Sequence, residues 1–303
     1  MASEAANIAH LTIPIDVRAG DATRARGSLI VASAAVAFST AGLFTRLIPV
    51  DVWTMLFWRG LFGCLLITGY VIWQQRATTR AAFAAIGRAG LMIAACSTVA
   101  TICFIAAFRE TSVADVTVIY ATAPFIAAGI AWIWTGERPR HATLAASGFA
   151  LLGVMVMCGG APSMGNIFGD LLALTMSALM ALMMVTVRKN RHVSMLPASC
   201  LSAFACAAIV LPLAHPSHVT SLDLALLALF GVTQFGLGLL LLTIGSRFIS
   251  ATRASLLANL ELPCAPLWVW LAFGEVPPNL TFAGGGIVCA AVLLELAADR
   301  PHR

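Results

Sequence analysis

A carboxylate and a guanidinium are the side chains least at home in hydrocarbon, and this sequence sets one of each deep in long apolar runs. Glu261 lies near the middle of the run 251–273, and Arg59 lies well inside the run 52–73. A carboxyl at that depth is costly and by default functional. Glu261 is therefore either held protonated to bind a polar substrate group or used to cycle protons as a coupling site. A hydrogen bond across helices that holds a bundle together is the structural alternative. Arg59 carries a planar fork of donors that suits a substrate carboxylate; its structural alternatives are a permanent pair with Asp51 or Asp170, or snorkelling to the surface.

Around these two stand uncharged candidates. Asn259 and Gln234 offer amides, Thr98, Thr101 and Tyr120 offer hydroxyls, and Phe44, Trp268 and the cluster Met176, Met180, Met183 and Met184 offer aromatic or soft apolar surface. Together they predict an apolar cavity with a few polar groups, suited to amino acids or aromatic-like solutes. A phosphate site at that depth needs more buried Lys and Arg than the sequence supplies. Pro124 and the pair Pro263 and Pro266 occupy corresponding places in two apolar runs, where a lost backbone donor predicts helix kinks around a cavity. The runs Gly236-x-Gly238 and Gly284-Gly285-Gly286 allow close helix approach.

The sequence carries no G-x-S-x-G, no P-loop and no Walker segment, so neither enzyme chemistry nor a built-in ATPase is expected. No cofactor and no metal is implied. The eight cysteines form no C-x-x-C pair, and His215-x-x-His218 has no Cys or carboxylate beside it.

These side chains must be held by membrane-spanning helices. Of 303 residues, 60% are apolar and 10% charged, with mean hydropathy +0.93; an ordinary soluble domain is about 25% charged. At ~20 residues per span, ten spans leave no room for a soluble domain. Apolar runs and their polar punctuation give spans at 28–48, 52–73, 89–108, 112–134, 142–159, 166–187, 195–214, 221–245, 251–273 and 280–298. The segments 1–27 and 299–303 form cytoplasmic tails, and nothing in the first of them suggests cleavage. Net charge is +5, but the basic residues stand in small groups between spans, which argues against nucleic acid. Of eighteen Lys and Arg, fifteen fall on the side of the N-terminus, Arg46 and Arg109 on the other, and Arg59 inside a span. That bias puts both termini in the cytoplasm.

The chain also matches itself at an offset of 138 residues. Ala107-Phe108-Arg109 and Ser112 fall on Gly245-Ser246-Arg247 and Ser250, Trp132 falls on Trp270, and Gly136-Glu137 falls on Gly274-Glu275. Five spans per copy is an odd number, so the copies, 28–159 and 166–298, must enter the membrane with opposite orientation. Inverted repeats of this kind are a recurring device of secondary transporters, which rock between two states around a midplane site.

Ala107-Phe108-Arg109-(x)5-Asp115, Ala123-Pro124 and Ala131-Trp132-(x)3-Gly136-Glu137-Arg138 resemble the first half of the EamA-type branch of the drug/metabolite transporter superfamily. Leu260-Glu261-Leu262-Pro263-(x)2-Pro266-Leu267-Trp268-Val269-Trp270-(x)3-Gly274-Glu275, followed by Gly284-Gly285-Gly286, resembles the second, with Pro263 one position later than the usual Leu-Glu-Pro. The resemblance implies an all-α polytopic protein of ten transmembrane helices in two inverted five-helix repeats. It further implies an exporter or facilitator of small metabolites in a bacterial inner membrane, with YddG-type amino-acid exporters among its relatives. The expected partners are a small solute such as an amino acid, the lipid bilayer and protons as a coupling ion. Alternatives are export of toxic cations or drugs, and a membrane sensor or assembly subunit that has lost transport.

Overall fold

The computed structural model describes residues 21–76, 79–111, 113–159, 166–191, 195–217, 219–274 and 276–298. Among them every regular element is helical. The first span is α1 (Asp21–Ser39) and α2 (Ala41–Leu47), and the second is α3 (Val52–Gln75). After the short α4 (Thr79–Ala85), α5 (Gly87–Glu110) is the third. The fourth is broken into α6 (Val113–Ala121) and α7 (Ala123–Thr135), and α8 (His141–Met157) is the fifth. The second copy runs through α9 (Ile167–Lys189), α10 (Leu196–Val210), and an eighth span made of α11 (Ser221–Phe230), a π-helical stretch (Gly231–Leu237) and α12 (Gly238–Gly245). It ends with a broken ninth span, α13 (Ala251–Ala258) and α14 (Glu261–Phe273), and α15 (Asn279–Ala298). Nine of these spans are long and apolar enough to cross a membrane, and α8 is a shorter apolar helix. Large apolar side chains such as Ile133 (87% exposed) and Leu271 (73%) cover the outside, an outer surface that suits lipid rather than water.

The 138-residue offset holds in register. α7 spans 123–135 and α14 spans 261–273, so both boundaries coincide after the shift. Each helix then ends on a glycine in the left-handed region, Gly136 and Gly274, both at φ 69°, where a side chain would be strained. The breaks coincide to within one residue, at 122 and 259–260. Pro263 therefore does not displace the second break, which falls before the proline. Contacts follow the same symmetry: α5 packs on α9 as α12 packs on α1, and α10 packs on α5 as the π-helical stretch packs on α3. The pairs α3 with α10 and α8 with α15 are their own mirror images. The Asn259 side-chain amide donates to the Ala121 carbonyl at 3.3 Å, across a separation of 138 residues. A position can touch its own counterpart only on the two-fold axis, so this contact marks that axis.

The contacts of α13 with α7, α8 and α9 break the symmetry. α13 packs against α7 at the arginine-rich end, whereas the mirror pair, α6 and α14, is not packed together at the opposite end. Every residue of α13 is buried, and in α14 only Pro263 is. The bundle is closed at the arginine-rich end and parted at the other.

Candidate functional site

Arg59 is positioned by close packing of α3 against the π-helical stretch. A Cβ on Gly231 would stand 2.8 Å from the Arg59 carbonyl oxygen, and one on Gly63 would stand 2.8 Å from the Phe235 ring. Glycine at these points lets the two backbones meet, and the extra residue of a π-turn rotates Gln234 toward α3; such bulges recur at functional sites. Arg59 Nη1 then donates to Gln234 Oε1 at 3.3 Å, while Gln234 Nε2 donates to the Phe38 carbonyl at 3.4 Å. The guanidinium carbon lies 4.4 Å from the centre of the Phe235 ring and 5.7 Å from that of Phe230. An aromatic face attracts a cation without neutralising it. Phe44 stacks on Phe230 at 4.9 Å and extends this wall.

Glu261 opens α14 directly after the break in the ninth span. It interacts electrostatically with Arg59 and Tyr120, yet it forms no salt bridge with Arg59 and no hydrogen bond among the described residues. Neither fixed partner suggested for Arg59 holds it. Asp51 instead caps α3, accepting from the Trp53 and Thr54 amides at 3.0 Å each, and Asp170 accepts from the Thr111 hydroxyl at 2.8 Å. Arg59 Nε and the adjacent Trp58 Nε1 are buried without a hydrogen-bond partner, as is Asn259 Oδ1. Buried polar groups are usually satisfied, so the unsatisfied Nε of Arg59 is an exception at this side chain.

The structure thus gathers Arg59, Gln234, Phe44, Tyr120 and Glu261. Asn259 is buried on the axis, where it caps a carbonyl freed by the break at Ala121. Trp268 lies on α14 and donates from Nε1 to Ser39 Oγ at 2.8 Å, tying the ninth span to the first. Pro124 sits in the first turn of α7, where no backbone donor is needed, and Pro266 lies inside α14. Thr98 is committed elsewhere: its hydroxyl donates to the Ala94 carbonyl at 2.8 Å and reaches the Ser202 carbonyl at 3.3 Å, so it joins α5 to α10. The side chain of Arg109, together with Ser112, His218, Glu275 and residues 160–165, lies outside the described residues.

At the arginine-rich end a second constellation appears. Arg253 Nε lies 3.2 Å from Glu295 Oε2, with both side chains buried, and the Thr143 hydroxyl donates to Glu295 Oε1 at 2.9 Å. Arg188 pairs with Glu137 at 3.9 Å. Counting basic residues by side treats Arg253 and Arg188 as markers of orientation only. The signal for a pairing was that Arg253 near the start of one span and Glu295 near the end of the next fall at the same end of the bundle.

The EamA-like transporter family matches residues 25–159 and again 167–296. The chain belongs to that family. Its two copies coincide with the two five-helix repeats, and membership makes the chain a membrane transporter of small solutes. One solved crystal structure superposes with a TM-score of 0.71 at 19% identity, over 91% of this chain and 99% of the other, and 29 solved chains are similar in all. At that identity the likeness concerns the fold. Comparison with curated proteins gives no match.

Proposed function

We propose that this EamA-like transporter moves amino acids or closely related zwitterions by alternating access, with Arg59 and Glu261 as the two charged ends of its site. The observation that carries the reading is that the two opposite charges interact electrostatically yet form no salt bridge with one another. A solute bearing a carboxylate and an ammonium fits between them, its carboxylate on the guanidinium fork and its ammonium toward Glu261. Gln234 and the Phe230–Phe235 wall orient Arg59, and Tyr120 supplies a hydroxyl. The arginine bias supports cytoplasmic termini in an inner membrane; with that orientation the described arrangement is closed to the cytoplasm and open outward. Exchange with the mirrored arrangement, in which α6 packs on α14 and α13 leaves α7, carries the site from one side to the other. Glu261 is the group available for proton coupling, and export is the direction we assign.

Counterflow in proteoliposomes tests the substrate class. Vesicles loaded with unlabelled amino acids should accumulate the labelled ones well above protein-free vesicles. Uptake equal to that of empty vesicles for every amino acid tried would remove the assignment.

A further inference from the structure

A cavity of about 180 Å³ lies between the two repeats at the arginine-rich end, well away from Glu261. Its wall brings together Arg24 from the start of α1, Arg138 and Arg140 from the segment after α7, Arg188 from the end of α9 and Arg253 from α13. Among the described residues of the wall the carboxylates are Glu137 and Glu295, so arginines outnumber acids there. Both carboxylates are already committed, one to Arg188 and the other to Arg253 and Thr143. Two further features suit an anion. The first turn of α13, capped by Ser250, borders the cavity with the positive end of its helix dipole, and the hydroxyls of Ser250 and Thr252 lie in the wall. The cavity is smaller than the roughly 300–1,000 Å³ taken by drug-sized ligands, so its occupant is small and strongly charged.

We infer that this cavity is an anion site for a phosphoryl group, separate from the transport site. Guanidinium forks match phosphate oxygens bidentately, which a general positive surface does not require. The wall is drawn from both repeats, so an anion seated there bridges them and favours the arrangement closed at this end. The phosphoryl group could belong to free phosphate or to a lipid headgroup, and the experiment below separates the two.

The full chain is purified in a phosphate-free maltoside detergent, and its unfolding midpoint is followed as sodium phosphate replaces sodium chloride at constant ionic strength. Phosphate at about ten times its Kd should raise the midpoint by roughly 3 °C. The shift should vanish in Arg24→Gln/Arg138→Gln and persist in Arg80→Gln/Arg88→Gln, whose side chains lie outside the cavity wall. A midpoint that ignores phosphate but rises when phosphatidylglycerol is included, with the same dependence on Arg24 and Arg138, identifies a headgroup as the occupant. Equal losses in both double variants, or no response to phosphate and phosphatidylglycerol alike, overturn the site. If Arg24→Gln/Arg138→Gln does not fold, Arg138→Lys keeps the charge and removes the fork; its binding of the same probe should weaken about tenfold, and an unchanged Kd overturns the site. No transport is measured, so the outcome is independent of the amino-acid assignment.

Discussion

α13 and α14 are neighbours in sequence and halves of one span, and they behave as opposites. The first, Ala-Thr-Arg-Ala-Ser-Leu-Leu-Ala, is the more polar and is wholly buried; the second carries Leu, Val and two Trp and is largely open. In water this order would be perverse. In a bilayer the polar segment is the one that needs protein around it, because Arg253 and Ser255 find partners inside the bundle, Glu295 and Met184. The apolar segment can face lipid without cost. The contrast therefore teaches that, in this fold, burial follows the partner available and not the hydropathy of the segment: α13 has α7, and α14 lacks α6.

The largest expected effect tests what holds α13 in place. Glu295→Gln removes the carboxylate from beside the buried Arg253 guanidinium, and breaking a buried ion pair typically destabilises by about 3–5 kcal/mol. Amide hydrogen exchange in α13 should then rise toward the rates of α14, and if α13 stays as protected as before, the ion pair is not what distinguishes the two segments. Next comes the parted side. Glu261→Gln removes a charge-assisted contact to substrate of about 1.5–3 kcal/mol, which predicts a 10- to 100-fold drop in amino-acid counterflow and a flattened pH dependence. Wild-type rate and pH profile in that variant would exclude Glu261 from both roles.

Smaller effects sharpen the picture. Gly231→Ala forces a Cβ against the α3 backbone, an overpacking worth about 1–3 kcal/mol, and should weaken substrate affinity by displacing Arg59 from Gln234 while leaving exchange in α13 unchanged. Affinity equal to wild type would show that the π-helical stretch does not orient the guanidinium. Least of all, Thr98→Val should lower stability by about 1 kcal/mol with counterflow unaltered, since its hydroxyl serves the contact between α5 and α10. A specific loss of counterflow at unchanged stability would return Thr98 to the transport site.

The backbone plan of this protein was legible because charge is scarce. Eighteen basic residues sort the spans by side, and Gly136-Glu137 with Gly274-Glu275 sets the repeat register that the helix ends later keep. Arg59 and Glu261 were legible for the same reason. Thr98 was not, because a helix apolar on every face gives no periodic signal for which face turns inward. The pairing of Arg253 with Glu295 was hidden in the same charge count that made the spans readable. The break at Thr40 and the π-helical turn at Gln234 have no counterparts at the equivalent positions of the other repeat, so the internal match pointed away from them. Both border the Arg59 wall, which suggests that departure from symmetry is where the site was built.

The contact between Asn259 and the Ala121 carbonyl has a consequence for measurement. In a rearrangement that swaps the two halves, a position and its own counterpart keep their separation while other pairs trade theirs, and 121 with 259 is the counterpart pair that is in contact. A pair of distance probes at 121 and 259 is thus a built-in zero: whatever spread it records is instrument and label, and only change beyond that spread, seen between positions further out, is motion of the protein.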